Sequence, residues 1–422
     1  MEQFGGIVQQ IRGSRKPQIV VMEVERLHSH TNADDHRVYR TEDDLRQAAE
    51  SGDAIIRLDH QLLNLECQPE MLLHIRAEVE QQVADAEAAA ATAAEPTAQR
   101  VASCPIPVEL SHPASEVRGD ESTRTLTMGT AIREVLHHHL EHDPRLFLFG
   151  QDIEDPKGDV FGVTKGLSTT FAGRVRNAPL SESTILGTSI GRALAGQKPV
   201  AFIQFADFLP LAYNQLTTEL ANMYWRTDGD WQAPVLVMAA CGAYRPGLGP
   251  YHAQTLESAM AQTPGLDVFM PSTATDAAGM LNAAFRSDRP TLFLYPKAML
   301  NDAGRATSAD VDKQFVPIGT GRKIRTGRDL TFVAWGNTVS LCERAASDLA
   351  RAGVEADIID LRCLSPWDKK MVVASAEKTS RLIVVHEDNH TCGFGSEVIA
   401  TVAQESRFPV AMRRVTRLDT FI

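Results

Sequence analysis

Short apolar runs alternate with helix-like stretches through the middle of the chain. Three of these runs, at residues 146–150, 199–203 and 234–239, are closed by turn residues. Stretches with helical periodicity, such as 212–225 and 276–286, separate the runs. This alternation predicts parallel strands joined by crossover helices. Residues 125–305 are therefore predicted to form an α/β domain built on a parallel sheet.

The same alternation returns toward the end of the chain. Strand-like runs occur at 330–335, 357–361 and 382–385, again with helix-like segments between them. Residues 306–422 are therefore predicted to form a second, smaller α/β domain.

The first 124 residues follow a different pattern. Residues 1–82 hold one apolar run, at 19–24, which is typical of a buried strand. A polar loop and two charged helical stretches follow it. One strand with its helices is too little for a domain, so another segment must supply the sheet. Residues 83–124 are rich in alanine and then in proline and serine, which predicts a linker.

Composition excludes several classes of function. The chain has 422 residues, 43% of them hydrophobic, and a net charge of −12. This charge gives no support for a nucleic-acid or membrane partner, and no apolar run is long enough to span a bilayer. The six cysteines lie far apart without metal-site spacing, and the first residues lack the apolar stretch of a signal peptide. We therefore expect reduced cysteines, no metal-binding residues and a cytoplasmic location.

One carboxylate occupies a notable position in the middle of the chain. Glu182 ends a polar segment and runs into a stretch, 187–196, of small residues at helical spacing. Small side chains on one helical face let another backbone or a flat ring approach closely. The residues alone leave two interpretations open: a ligand-binding acid, or a solvated acid in the first helical turn.

Aromatic and histidine positions are similarly ambiguous from the residues alone. Phe205 and Phe208 have helical spacing, which is more typical of a core than of a cofactor site. His252 lies in a loop rich in glycine and proline and could exchange protons near neutral pH, or have no role. His28 and His30 could suggest a metal site, but the lack of a partner cysteine makes that interpretation weak.

A resemblance to a known family favours the functional interpretation of several of these residues. Residues from about 125 to 422 resemble the β subunit of the thiamine-diphosphate-dependent decarboxylating component of 2-oxoacid dehydrogenase complexes. It implies a transketolase-like pyrimidine-binding domain followed by a transketolase-like C-terminal domain. The matching segments are 150–152 (Gly-Gln-Asp), 164–167, 179–182 (Pro-Leu-Ser-Glu), 187–196, 205–208 (Phe-Ala-Asp-Phe), 252–254 (His-Ala-Gln), 264–266, 271–273, 360–362 (Asp-Leu-Arg) and 365–368 (Ser-Pro-Trp-Asp).

The start of the chain resembles a different subunit of the same family. Arg26, His28, His30 and Asp34, with the pair at 39–40, match the active-site loop near the C-terminal end of the α subunit. The chain therefore looks like the later part of an α–β fusion. Ser29 stands where the family usually has glycine, and Thr31 stands where some members carry a regulatory phosphoserine.

The resemblance assigns roles to five residues. It implies that Glu182 contacts the pyrimidine ring nitrogen of the cofactor as a catalytic acid and that Phe208 stacks on the aminopyrimidine, while Phe205 stays in the core. His252 would line the substrate channel and take part in acylation of a lipoyl group. His30 would lie near the diphosphate and the reactive carbon, with Arg26 just before it.

The other half of the cofactor site has no match in this sequence. The family's magnesium and diphosphate motif, Gly-Asp-Gly followed by a downstream asparagine, does not occur. We therefore expect an α-type subunit or N-terminal fragment to bring the magnesium and diphosphate ligands. Further expected partners are a lipoyl-bearing acyltransferase and a second copy of the β-like part.

The implied reaction is oxidative decarboxylation of a 2-oxo acid, either pyruvate or a branched-chain acid, with transfer of the acyl group to a lipoyl arm. One alternative is a carboligase like transketolase or deoxyxylulose-phosphate synthase, although the α-like loop before the β-like body argues against it. A non-catalytic scaffold subunit is another. The family's sequences continue past the position of Ile422, so docking on a standard acyltransferase core is in question.

Overall fold

The computed structural model describes residues 2–95, 104–120, 124–243 and 249–422. The chain divides into two units, Met1–Ala98 and Gln99–Ile422. The proline at position 96, which contributed to the predicted linker, lies outside the described residues.

The first unit is helical throughout its described part. It contains no strand between residues 2 and 95, and Ala48 is the one buried hydrophobic side chain in that range. A unit with so little burial has almost no core of its own. Its helices are α1 (Glu2–Ser14), α2 (Glu42–Gln47), α3 (Ala54–Asn64) and α4 (Pro69–Thr92), with a 3-10 turn at His36–Val38 and a π turn at Ala48–Gly52.

The first unit does not form or bury the strand predicted at residues 19–24. These residues form no strand, and the side chains of Ile19, Val21 and Val24 are 95%, 87% and 83% exposed. A strand needs a neighbour to accept its backbone hydrogen bonds, and the described part of the first unit offers none. The apolar pattern is real, but the sheet that would bury it is not formed by this unit.

The second unit carries all the strands of the described chain. They are β1 (Thr125–Leu126), β2 (Leu146–Gly150), β3 (Val175–Asn177), β4 (Lys198–Phe205), β5 (Leu236–Cys241), β6 (Asp267–Phe269), β7 (Thr291–Pro296), β8 (Thr307–Ser308), β9 (Arg322–Arg325), β10 (Leu330–Ala334), β11 (Ala356–Asp360), β12 (Cys363–Ser365), β13 (Arg381–Asn389) and β14 (Ala411–Arg417).

Its α-helices connect these strands. They are α5 (Val108–Ser111), α6 (Met128–His142), α7 (Leu167–Thr170), α8 (Glu182–Leu194), α9 (Met223–Arg226), α10 (Glu257–Ala261), α11 (Ala274–Arg286), α12 (Thr338–Arg351), α13 (Lys369–Thr379) and α14 (Gly395–Glu405). The helix predicted at 212–225 is irregular, with a 3-10 segment (Ala206–Ala212) and a π segment (Gln215–Ala221) before α9.

Two sheets form the frame of this unit. The larger has the order β12-β6-β7-β5-β4-β2-β3 and is parallel except for β12. The smaller has the order β14-β13-β10-β11-β9 and is parallel except for β9. The predicted parallel α/β architecture is therefore confirmed. Strands covered on both faces read as continuous apolar runs, which is why β2, β4 and β5 were visible in the sequence.

A buried cluster of charges connects the two sheets and the segment before them. Arg362, which is 0% exposed, donates two hydrogen bonds to the carboxylate of Glu116, at 2.9 and 3.1 Å. It also lies 3.4 Å from Asp276 in α11, which pairs with Arg118 at 2.9 Å. Burial opposes ionisation of Asp276, but the surrounding guanidinium groups outweigh it and lower its pKa to about 2.

Replacing Arg362 by methionine should destabilise the second unit strongly. The substitution leaves the buried carboxylate of Asp276 with less compensating charge. Removal of one partner of a buried ion pair lowers the free energy of unfolding by about 3–5 kcal/mol. Urea unfolding followed by tryptophan fluorescence measures the effect. The control is Arg351→Met, whose side chain is 79% exposed beside Asp348, and which should leave the midpoint nearly unchanged. Equal midpoints for the two variants would contradict a supporting role for this cluster.

A second buried acid lies between the two sheets. Glu257 begins α10 and is 0% exposed, and the indole nitrogen of Trp335 donates a hydrogen bond to it at 3.0 Å. Burial, reinforced by the nearby carboxylate of Asp388, raises the pKa of Glu257 to about 8. The group is therefore mostly protonated in the folded protein at neutral pH.

The raised pKa of Glu257 predicts how stability changes with pH. An acid whose pKa is higher in the folded state makes the protein less stable as pH rises from the unfolded pKa through the folded one. The variant Glu257→Gln imitates the protonated form, so its stability relative to wild type should increase between about pH 5 and pH 9. Thermal midpoints across that range test this. A difference that stays constant with pH would refute the raised pKa.

Candidate functional site

The sequence-predicted residues of the second unit gather at one edge of the larger sheet. Strands β2 to β7 are parallel, so their carboxyl ends meet at the same edge, which is where open α/β sheets bind ligands. Gln151 follows β2, Phe208 follows β4, the loop with His252 follows β5, and Lys297 follows β7. Glu182 reaches the same region from the segment after β3.

Glu182 is the first residue of α8 and is buried there. Its side chain is only 9% exposed, and the amide nitrogen of Gln151 donates a hydrogen bond to one carboxylate oxygen at 3.0 Å. Ser181, and not Glu182, occupies the N-cap position. The interpretation of Glu182 as a solvated cap is therefore wrong. Gln151 appeared in the sequence only as part of a matching segment, and its contact with Glu182 was not predicted.

The small residues of α8 leave an open helical face. Gly187 and Gly191 are both exposed. A Cβ atom added at Gly191 would meet no atom within 4 Å, and one at Gly187 would meet only Gln215, at 3.9 Å. This face can therefore accept a close neighbour, as the spacing of small residues predicted.

Three rings lie together beside this helix. Phe208 is in the 3-10 segment Ala206–Ala212, against which α8 packs. The ring of His252 lies edge-on to Phe205, with centroids 4.6 Å apart, and to Phe208, at 5.7 Å. Phe205 is 6% exposed and belongs to the core, as expected, whereas Phe208 is half-buried.

The backbone around His252 is held by two charged side chains that sequence reasoning missed. The carboxylate of Asp207 accepts hydrogen bonds from the backbone N–H groups of Ala253 and Gln254, and the ammonium of Lys297 donates to the carbonyl oxygen of His252. A lysine directly after a buried strand was the available signal for Lys297. Residues 247 and 248, part of the glycine-rich loop used in the sequence argument, lie outside the described residues.

The α-like loop in the first unit is organised around Asp34. Its carboxylate accepts hydrogen bonds from the backbone N–H of His30 and the hydroxyl of Tyr39, and pairs with Arg26 at 3.5 Å. These contacts, the one to His30 first, lower the pKa of Asp34. The His30 ring itself is exposed.

Ser29, which departs from the family's glycine, has a structural partner in this loop. Its hydroxyl accepts a hydrogen bond from the backbone N–H of His36 at 3.3 Å. The serine therefore stabilises the conformation of the loop through its side chain, which a glycine could not do.

The residues at the sheet edge fit the aminopyrimidine part of thiamine diphosphate. A buried carboxylate can accept a hydrogen bond from a protonated ring nitrogen, and a half-buried phenylalanine such as Phe208 can stack on a flat ring. The described residues contain no group of three or more His, Cys, Asp or Glu that could bind a metal ion. The expected magnesium ligands on a partner chain stay a prediction.

No helix in the described parts of the chain is long and apolar enough to cross a bilayer. The expected cytoplasmic location stays a prediction.

Three family models match successive parts of the chain. The dehydrogenase E1 component matches residues 7–99, the transketolase pyrimidine-binding domain matches residues 124–302, and the transketolase C-terminal domain matches residues 319–422. The order is that of an α-type segment followed by a β-type body.

Curated relatives agree with these matches. The chain is 36% identical to 2-oxoisovalerate dehydrogenase subunit beta 2 of Arabidopsis thaliana over 304 residues, which is 71% of this chain and 84% of the relative. It is 38% identical to the corresponding β subunit of Bacillus subtilis, covering 66% of this chain and 84% of the relative. Against the pyruvate dehydrogenase E1 β subunit of Leifsonia xyli subsp. xyli, identity is 36%, with coverage of 70% and 88%.

A solved structure agrees on the fold. A split-gene transketolase, described as an inactive β4 tetramer, superposes with a TM-score of 0.59 at 22% identity, over 70% of this chain and 90% of that one. With the family models and the curated relatives in agreement, the chain belongs to the E1 family of 2-oxoacid dehydrogenases, thiamine-diphosphate-dependent oxidoreductases, and joins an α-type segment to a β-type body.

Proposed function

We propose that this chain provides the aminopyrimidine half of a thiamine diphosphate site and decarboxylates a 2-oxo acid once a partner provides the other half. One observation carries the proposal. Glu182, Phe208 and His252 come from the carboxyl edge of one parallel sheet: Glu182 begins the helix that packs against the segment holding Phe208, and the rings of Phe208 and His252 are 5.7 Å apart. A scaffold subunit would need none of these three.

Glu182 acts on a proton in this proposal. Bound thiamine diphosphate supplies the electron sink that decarboxylation of a 2-oxo acid requires. The Glu182 carboxylate holds a proton at the pyrimidine ring nitrogen, and Gln151 keeps the carboxylate in place through its 3.0 Å hydrogen bond. Phe208 orients the ring by stacking on it. The small-residue face of α8 leaves room for the neighbouring subunit.

His252 acts on the substrate side. Its ring is partly exposed, while Phe205 and Phe208 support it from two directions. The two ring nitrogens of an imidazole can donate and accept hydrogen bonds. We assign it to hydrogen bonding with the reacting acyl group and to its transfer to the lipoyl arm of an acyltransferase.

The partner chain would be an α-type subunit or fragment with the magnesium and diphosphate ligands. The first unit supports this, because the apolar side chains at residues 19–24 are exposed. This segment would pair as a strand with a sheet that another chain provides. Arg26 and His30 would complete the diphosphate side, and two β-like bodies would associate. Burial of the apolar side chains at residues 19–24 would stabilise the complex and offset the entropy lost when the strand orders. We therefore expect a permanent association.

The relatives' names indicate two substrate classes. Those relatives act on 2-oxoisovalerate or pyruvate by name, so a branched-chain 2-oxo acid and pyruvate are the first candidates here. A transketolase-like carboligase is disfavoured because the α-like unit precedes the β-like body.

The variant Glu182→Gln should retain cofactor binding and lose most turnover. The amide keeps the size and hydrogen-bonding reach of the side chain but cannot hold the proton, and loss of such proton transfer costs about 100- to 10,000-fold. Turnover is measured on the reconstituted assembly with pyruvate and 2-oxoisovalerate, and binding by titration with thiamine diphosphate. Glu141→Gln, at an exposed position, is the matched control and should behave as wild type. Unchanged turnover in Glu182→Gln would remove this residue from the site.

The chain alone should bind thiamine diphosphate weakly even with magnesium present. Co-expression with an α-type chain should restore tight, magnesium-dependent binding and decarboxylation, because the diphosphate ligands then become available. Calorimetric titration of the single chain and of the pair measures this. Tight magnesium-dependent binding by the chain alone would refute the divided site. A pair that binds the cofactor but decarboxylates neither 2-oxo acid would refute the proposed reaction.

A further inference from the structure

We propose that Lys297 is a positioning residue that holds His252 beside Phe205 and Phe208. The proposal rests on the function proposed above, because the importance of His252 comes from that function. It assigns a role to a lysine that touches neither substrate nor cofactor in this scheme and acts only through the backbone of His252.

Lys297 is placed where a lysine is unusual. It follows β7 directly and its side chain is 0% exposed, whereas lysine is almost never fully buried unless it is paired. Its ammonium donates a hydrogen bond to the carbonyl oxygen of His252 and lies 5.0 Å from the centroid of the Phe205 ring. A cation at this distance over an aromatic face is attracted to the ring.

The charge of Lys297 is supported by neighbouring acids. Burial lowers the pKa of Lys297, and the carboxylates of Asp207 and Glu387 oppose that shift. Asp207 comes from the segment after β4, and Glu387 comes from β13 in the smaller sheet. Acids from both α/β domains therefore favour the charged form of the Lys297 side chain.

Asp207 also holds the chain that follows His252. Asp207 accepts from the backbone N–H of Ala253 at 3.3 Å and of Gln254 at 3.2 Å. The peptide after His252 is thus fixed at its oxygen by a cation and at the following nitrogens by an anion. This leaves the imidazole torsions as the main remaining freedom at that position.

The backbone at the two ends of the loop pairs with itself and is held by side chains of the smaller α/β domain. The N–H of Gly242 donates to the carbonyl of Gln254 at 3.0 Å, and the N–H of Ala243 donates to Glu387 at 2.9 Å. Arg417, at the end of β14, donates to the side chain of Gln254. Gly242 has φ of 74°, and an added Cβ would come within 2.8 Å of the Glu387 carboxylate, so glycine is required for this closure.

Lys297 is therefore the side chain that holds the carbonyl oxygen of His252 in place. Without its ammonium, that carbonyl loses its donor, and the planar peptide between His252 and Ala253 is held only at its N–H, by Asp207. The imidazole would then leave its edge-on contacts with the two phenylalanines. Small displacements of a catalytic group reduce rate by as much as about 100-fold.

Steady-state kinetics on the reconstituted assembly test this. In Lys297→Met, acylation of a lipoyl domain should slow by about 100-fold. The KM for the 2-oxo acid and the reduction of a dye acceptor, which bypasses the lipoyl step, should change much less. The control is Lys198→Met, because Lys198 also donates to a backbone carbonyl, that of Phe285 at 2.9 Å, away from His252. It should act as wild type.

A double variant distinguishes positioning from an independent role. If Lys297 acts through His252, then His252→Ala combined with Lys297→Met should be no slower than His252→Ala alone, to within about twofold. Multiplied losses would overturn the proposal. Wild-type lipoyl acylation in Lys297→Met would overturn it as well.

A measurement that needs no activity separates this proposal from the function it rests on. In the isolated chain with labelled histidines, the imidazole signal of His252, assigned by its loss in His252→Gln, should shift or broaden in Lys297→Met and stay unchanged in Lys198→Met. An unchanged His252 signal in Lys297→Met would overturn the positioning role even if the assembly is active. A displaced signal in an assembly without 2-oxo acid activity would refute the proposed function and leave the positioning contact intact.

Discussion

The rest of the second unit depends on the buried contact of Arg362 with Glu116 and Asp276. Arg362 comes from the C-terminal α/β domain, Asp276 from a helix of the pyrimidine-binding domain, and Glu116 from the segment before both. A buried guanidinium must be met by acids in a defined geometry, because an unpaired buried charge is costly. The contact therefore fixes the two sheets against each other.

The fixed arrangement of the two sheets matters for the candidate site, because residues from both domains form the site. Glu182, Phe208 and Lys297 belong to the pyrimidine-binding domain, while Glu387 and Arg417 reach the His252 loop from the smaller domain. A shift between the sheets would move the ends of that loop. The C-terminal domain thus contributes to the site by holding its backbone, and needs no contact with substrate to do so.

The two units differ in how they are stabilised. The second has continuous apolar clusters on both faces of its larger sheet. The first has local order, such as the loop around Asp34, but scarcely any burial among its described residues. Hydrogen bonds within a loop fix its shape, yet without buried apolar surface they contribute little net stability. This contrast is the physical reason for expecting a partner on the α-like side.

The sequence by itself determined the parallel α/β architecture, because strands buried on two faces leave continuous apolar runs such as β2, β4 and β5. It also identified Glu182, Phe208 and His252 as candidates, through motifs that resemble those of a known family. It failed at residues 19–24, because an apolar run predicts burial without naming what buries it. Only the tertiary structure paired Gln151 with Glu182, 31 residues apart, and Lys297 with His252, 45 residues apart. Those contacts depend on how parallel strands place their carboxyl ends side by side, which no local pattern records.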